Sequence, residues 1–157
     1  MSITTIRPTS TSSNSFTVTG ASAHVATNDN SDATFITGVS GSFSSALLGF
    51  SGFTLASGFG IKQVRVRVRY QTATPGTDTL WYVVTKSTAG GSGPADVYQT
   101  ISTTPIDASG AWQAKAPDGS TWTAALVNAI LVNIYPGLYS TSNQQPKVFE
   151  VYVDVEI

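Results

Sequence analysis

The chain of 157 residues contains no cysteine, one histidine and, apart from the initiator, no methionine. A disulfide framework and thiolate chemistry are therefore excluded. A zinc or haem site finds almost no ligands of the kind it needs. Charge is equally scarce. Only 11% of residues are charged and the formal net charge is −1, against a usual quarter of the chain. Eight basic residues are too few for extensive phosphate neutralisation, which argues against a nucleic-acid binder and a polybasic membrane module. No apolar run approaches the ~18 residues of a membrane span. The first residues, Met1 to Pro8, lack the basic and apolar regions of a secretory signal. No cofactor is implied.

What is present is a pattern of short alternating segments broken by turns. Residues 1–14 are rich in Ser and Thr and poor in apolar surface. They read as a flexible N-terminal arm, ordered at most on a neighbour. Residues 15–157 read as one domain. Strands are expected at Ser15–Gly20, Thr34–Gly38, within Phe43–Leu55, at Ile61–Thr72, Leu80–Thr85, Val97–Ser102, Ile130–Tyr135 and Val148–Ile157. Leu80–Thr85 is expected to be the hairpin partner of Ile61–Thr72, and Trp81 to lie in the core. Ala89–Pro94 reads as a flexible loop and Asp107–Gly110 as a turn. Thr123 is a candidate N-cap for one helical turn before Ile130. About eight strands with at most one helical turn predict an all-β antiparallel sandwich, jelly-roll-like.

Two strands carry complementary charge. Val64, Val66, Val68 and Tyr70 alternate with Arg65, Arg67 and Arg69. In the last strand, Phe149, Val151, Val153, Val155 and Ile157 are expected to face the core. Glu150, Tyr152, Asp154 and Glu156 alternate with them. Opposite charges across neighbouring strands contribute about 0.2–1 kcal/mol each, so the two rows are expected to be neighbours in one sheet. Each row facing water, or an inter-subunit ladder, are the alternatives. Arg65, Arg67, Arg69, Glu150, Asp154 and Glu156 are the candidate interface residues, with the arm.

No catalytic constellation is legible, and the chain reads as non-enzymatic. His24 has no readable partner motif. The two Glu residues share the last strand and the Asp residues sit mostly in turns. The Asn28–Asp32 cluster offers oxygen ligands, but turn chemistry explains it without Ca²⁺. The Gly90–Gly93 run lacks the context of a phosphate loop. Trp112 and Trp122 flank a turn, and as an exposed pair they would form a stacking platform for sugar rings. That is the alternative reading: a carbohydrate-binding module or the receptor-binding tip of a fibre.

Three segments carry a family resemblance. Gly52-Phe53-Thr54-Leu55-Ala56-Ser57-Gly58-Phe59-Gly60-Ile61-Lys62-Gln63-Val64-Arg65-Val66-Arg67-Val68 is the first. Trp122-Thr123-Ala124-Ala125-Leu126-Val127-Asn128-Ala129-Ile130-Leu131-Val132-Asn133-Ile134 is the second, and Phe149 to Val155 the third. Together they resemble jelly-roll-like β-sandwich structural proteins of tailed bacteriophages. Leu126 stands where an Asp is common in that pattern, and Phe59-Gly60 replaces a pair of small residues. The resemblance implies a virion component assembled in the host cytoplasm: a capsid decoration or head-fibre protein, a homotrimer bound to the major capsid protein or another virion protein. It is a fold signature and transfers no functional residue.

Overall fold

The computed structural model describes residues 2–23, 27–37, 45–71, 81–87, 92–98, 102–136 and 147–157; for 81–98 the description is of the backbone, apart from Gly93. His24, the Gly90–Gly91 pair and the Trp81 side chain lie outside it. The described elements are β1 (Ile3–Ile6), β2 (Pro8–Asn14), β3 (Thr17–Thr19), β4 (Phe35–Thr37), β5 (Ala46–Phe50), β6 (Gln63–Gln71), β7 (Trp81–Ser87), β8 (Ser92–Tyr98), β9 (Ile106–Ser109), α1 (Ala124–Asn128), β10 (Ile130–Pro136) and β11 (Lys147–Glu156).

The strands form two antiparallel sheets. Sheet A has the order β3-β4-β11-β6-β9, with β1 added against β11; sheet B has the order β2-β5-β10-β7-β8. From β4 onward the pairing is nested. β7 pairs with β8, β6 with β9, β5 with β10 and β4 with β11. That is one long hairpin rolled up so that its successive pairs fall alternately in the two sheets, which is jelly-roll topology. The core between the sheets is aliphatic. Val64, Val66, Val68, Val151, Val153 and Val155 of sheet A face Leu48, Val132 and Ile134 of sheet B, all fully or almost fully buried. β-Branched side chains on a pleated surface suit that layer.

The architecture places four segments differently from the sequence reading. The expected arm is built into the body: β1 pairs with β11 and β2 with β5. Backbone hydrogen bonds to two sheet edges supply the order that its side chains alone do not. β7 is not a hairpin partner of β6. It lies in sheet B between β10 and β8, and β6 is flanked by β11 and β9. Asp107–Ser109 is strand rather than turn, paired with Val68 and its neighbours. Ser92–Pro94 opens β8, an edge strand, where a proline is tolerated.

Strand β11 also departs from simple alternation. Its register against β6 slips between Val148 and Glu150. The bulge puts Val148 in the core with Val151, Val153 and Val155, and leaves Phe149 out of it. Phe149 is buried instead edge-on against Phe35, ring centroids 5.7 Å apart. Nor is β11 an open edge needing a partner: β6 lines one side, and β4 and β1 the other.

Between β9 and β10 the chain crosses one end of the core. Trp122 is buried there, its Nε1 donating to Gln113 O at 2.8 Å. Thr123 caps α1 as expected: its Oγ1 accepts from Leu126 N at 3.2 Å. Asn128 then ties the helix to the segment after β5, exchanging two hydrogen bonds with the Phe53 backbone.

Candidate functional site

The outer face of sheet A is where the chain concentrates its charge. β6 and β11 are neighbours, with Asp154 directly opposite Arg65, Tyr152 opposite Arg67 and Glu150 opposite Arg69. Alternation puts Arg65, Arg67 and Arg69 on the side away from the valine core. Each acid is engaged by neighbouring side chains: Asp154 by Arg65, Arg67 and Thr5, Glu150 by Arg7, and Glu156 by Lys62 and Gln63. Glu150, Asp154 and Glu156 are nearly sealed from solvent, at 1%, 2% and 3% exposure. The two rows are neighbours, as expected, and the alternative in which each faces water does not hold for the acids.

Asp154 is the centre. Its Oδ2 receives Arg67 Nε at 2.7 Å and Arg65 Nε at 3.1 Å, and its Oδ1 receives Thr5 Oγ1 at 2.8 Å and Arg67 Nη2 at 3.2 Å. One carboxylate thus neutralises two arginines that would otherwise repel, and fastens β1 to the sheet. The Arg65 guanidinium lies 4.4 Å from the centre of the Trp112 ring. Arg67 and Arg7 each lie 4.8 Å from the centre of the Tyr152 ring. Glu156 takes Lys62 Nζ at 2.9 Å and the Gln63 amide.

Arg69 does not bond Glu150, its partner in register. It grips Asp32 with two hydrogen bonds, at 2.7 and 2.8 Å, and reaches Asp107 at 3.1 Å. Glu150 is claimed by Arg7, which comes from the corner between β1 and β2. Arg7 Nη1 donates to Glu150 Oε2 at 2.8 Å and to Asn28 O at 3.1 Å, and Nη2 donates to Asn30 Oδ1. Asn30 holds φ 57°, a left-handed conformation that Asn tolerates. Glu150 Oε1 is buried without a well-formed hydrogen bond. Arg7, Asp32, Asp107 and Lys62 were not legible as members of this cluster. The Asn28–Asp32 turn signal marked the loop but not what it holds.

The acids respond to these surroundings in opposite senses. Burial pushes Asp154 up, but hydrogen bonds from Thr5, Arg67 and Arg65 outweigh it and hold the carboxyl below the ordinary aspartate value. Hydrogen bonding to Arg69 lowers Asp32, and hydrogen bonds from Lys62 and Gln63 lower Glu156. Burial raises Glu150, and Arg7 with the backbone N–H groups of Asn30 and Ser31 only partly opposes it. A lowered acid stabilises the fold above its unfolded pKa and loses that contribution as pH falls through its folded value. A raised acid does the reverse: its contribution is full below the unfolded pKa and is lost as pH rises through the folded value. Unfolding free energy is expected to fall as pH drops below about 4. Between about 4.3 and the raised Glu150 value, acidification should cost Glu150→Gln more stability than it costs the wild type. Urea midpoints measured across pH test both statements, and superimposable profiles for the two proteins would contradict the second.

The second candidate, the pair Trp112 and Trp122, does not form. Trp122 is 3% exposed and its indole N–H is spent in the core. Trp112 is half-buried beside an open groove lined also by Lys115, Pro117 and Gly119, and Arg65 lies against its ring. A flanking turn does not distinguish a tryptophan above the surface from one closing the end of a sandwich.

Compared with known proteins, the sequence matches no family model and no curated protein.

Proposed function

We propose that this chain is a non-enzymatic structural protein of a tailed-phage virion, a capsid decoration protein that binds the outer shell and stabilises it as a homo-oligomer, most simply a homotrimer. The observation that carries the reading is the closed ion-pair network on the outer face of sheet A. The three arginines of β6 and the acids of β11 are engaged within one chain, and the network fastens the N-terminal strands to the body. Such an arrangement suits a rigid, nearly neutral building block. Jelly-roll topology and the resemblance to virion proteins support the same reading, although a fold alone hosts many functions. Its partner is the major capsid protein or another virion protein, and its place is the particle. Association would rest on shape, hydroxyls and sheet edges. The Ser- and Thr-rich β2 at the open edge of sheet B is such a surface.

The alternative, a carbohydrate-binding module or the receptor-binding tip of a fibre, retains Trp112 alone of its two stacking residues. Light scattering after size exclusion is expected to give three times the 16.4 kDa chain mass. The protein should then co-sediment with empty expanded capsids of the same phage. Failure to co-sediment, together with glycan binding abolished by Trp112→Ala, would replace the capsid reading with the alternative.

A further inference from the structure

Residues 3–14 form a strap that crosses from one sheet to the other. β1 adds to β11 in sheet A, β2 adds to the open edge of β5 in sheet B, and Arg7 marks the corner. Little of the strap enters the core. Pro8 is buried and Ile6 packs against the core, while β2 beyond Pro8 is mostly exposed Ser and Thr. The fastening is polar and specific. Asn28 O, Asn30 Oδ1 and Glu150 Oε2 converge on the Arg7 guanidinium, with the Tyr152 ring beside it. Asn28 Nδ2 also donates to Pro8 O at 2.8 Å. Gly49 of β5 leaves room for Ser10, since a Cβ there would collide with Ser10 Oγ.

The strap leaves the body through a very short connection. Only Ser15 and Phe16 separate β2 from β3, so the chain changes sheets within two residues. Asn14 holds that turn closed, accepting from Phe16 N and donating to Phe16 O, each at 3.1 Å. Phe16 is anchored in the core. Extending this short hinge breaks only local bonds, those of Asn14 with Phe16 and of Ser15 with Ser45, and carries the strap away from its own body. The strap makes the same contacts on its own body as it would on an identical one, which is the low-cost route to domain swapping.

We propose that the strap of residues 3–14 is exchangeable between copies of this chain, Arg7 of one copy entering the oxygen cage of Asn28, Asn30 and Glu150 in another. The cage contacts are identical in the closed and exchanged forms. Protein concentration and the hinge therefore set the amount exchanged, and the Arg7 latch sets the rate.

Ser13 and Leu47 are partners in the β2–β5 register, and the chain has no other cysteine to interfere. Chains carrying Ser13→Cys and Leu47→Cys separately are mixed at high concentration and oxidised slowly. A covalent dimer joining the two variants is expected, forming about tenfold faster, the equivalent of 1.4 kcal/mol, when both also carry Arg7→Ala, with the final yield unchanged. No mixed dimer in either background overturns the proposal, and equal rates overturn the latch. Wild-type chains give an independent reading: oligomers formed at high concentration should revert only slowly on dilution, because each strap must leave its host. Reversion within seconds, or a monomer at every concentration, overturns exchange. No capsid is used, so failure to bind a shell leaves this inference standing; absence of the mixed dimer, or reversion within seconds, leaves the shell reading standing, whereas a monomer at every concentration counts against exchange and the homotrimer alike.

Discussion

Replacing Asp154 by alanine is expected to lower the unfolding free energy by about 3 kcal/mol. For a domain of this size that corresponds to a fall in Tm of about 6–12 °C. The reasoning rests on what is left behind. Asp154 is buried, and it is the shared acceptor for Arg65, Arg67 and Thr5. Without it, two guanidiniums two residues apart on β6 face each other with no counter-charge, and β1 loses its side-chain bond to the sheet. Breaking one side of a buried pair typically costs about 3–5 kcal/mol. The lower end applies here, because Arg65 and Arg67 remain 25% and 29% exposed and water can partly solvate them. Asp154→Asn keeps the shape and an acceptor oxygen but not the charge, and should lose less than alanine does. Urea denaturation at pH 7 measures both. A change within about 0.5 kcal/mol for alanine, the range of an ordinary surface substitution, would show that the network is not structural.

Trp122→Ala is expected to be at least as damaging, at about 3–5 kcal/mol. The ring is almost fully buried, in the same core cluster as Ala116 and Val127. Its removal opens a cavity that the strands on either side cannot close without losing their register. Trp122→Phe retains part of the volume and loses the bond to Gln113 O. That oxygen also accepts from Val64 N at 3.0 Å, so it is not orphaned and the loss should be smaller. Trp112→Ala should cost far less than Trp122→Ala, since it removes a half-buried ring and one contact with Arg65. Thermal melts of the three variants order them. If Trp112→Ala were as destabilising as Trp122→Ala, the assignment of core and surface at this end of the sandwich would be wrong.

Several elements could be read from composition and spacing because their cause is local. The alternation over Val64–Tyr70 is a period of two, and β6 follows it residue by residue. Thr123 caps a turn of helix because its hydroxyl bonds an amide only three residues away. The pairing of β6 with β11 was also visible, since complementary charge rows report a neighbour even at a distance in sequence. The bulge in β11 was not. A continuous alternation does not reveal a register slip, which here falls next to the two residues that pair with β4 as well as β6.

The sequence by itself determined the class of structure: antiparallel, all-β, with a valine-rich layer between polar faces, because side-chain period and turn chemistry act over a few residues. Tertiary structure alone decided which ions meet. Arg69 lies opposite Glu150 in register yet binds Asp32 and Asp107, while Glu150 is taken by Arg7 from the other end of the chain. Only the rolled hairpin brings the strap and the Asn28–Asp32 turn over the same face. It likewise made a surface candidate of Trp122 into core and an expected free arm into two strands. In each case the deciding partner lies far away in sequence, where hydrophobic pattern and local hydrogen bonding carry no information.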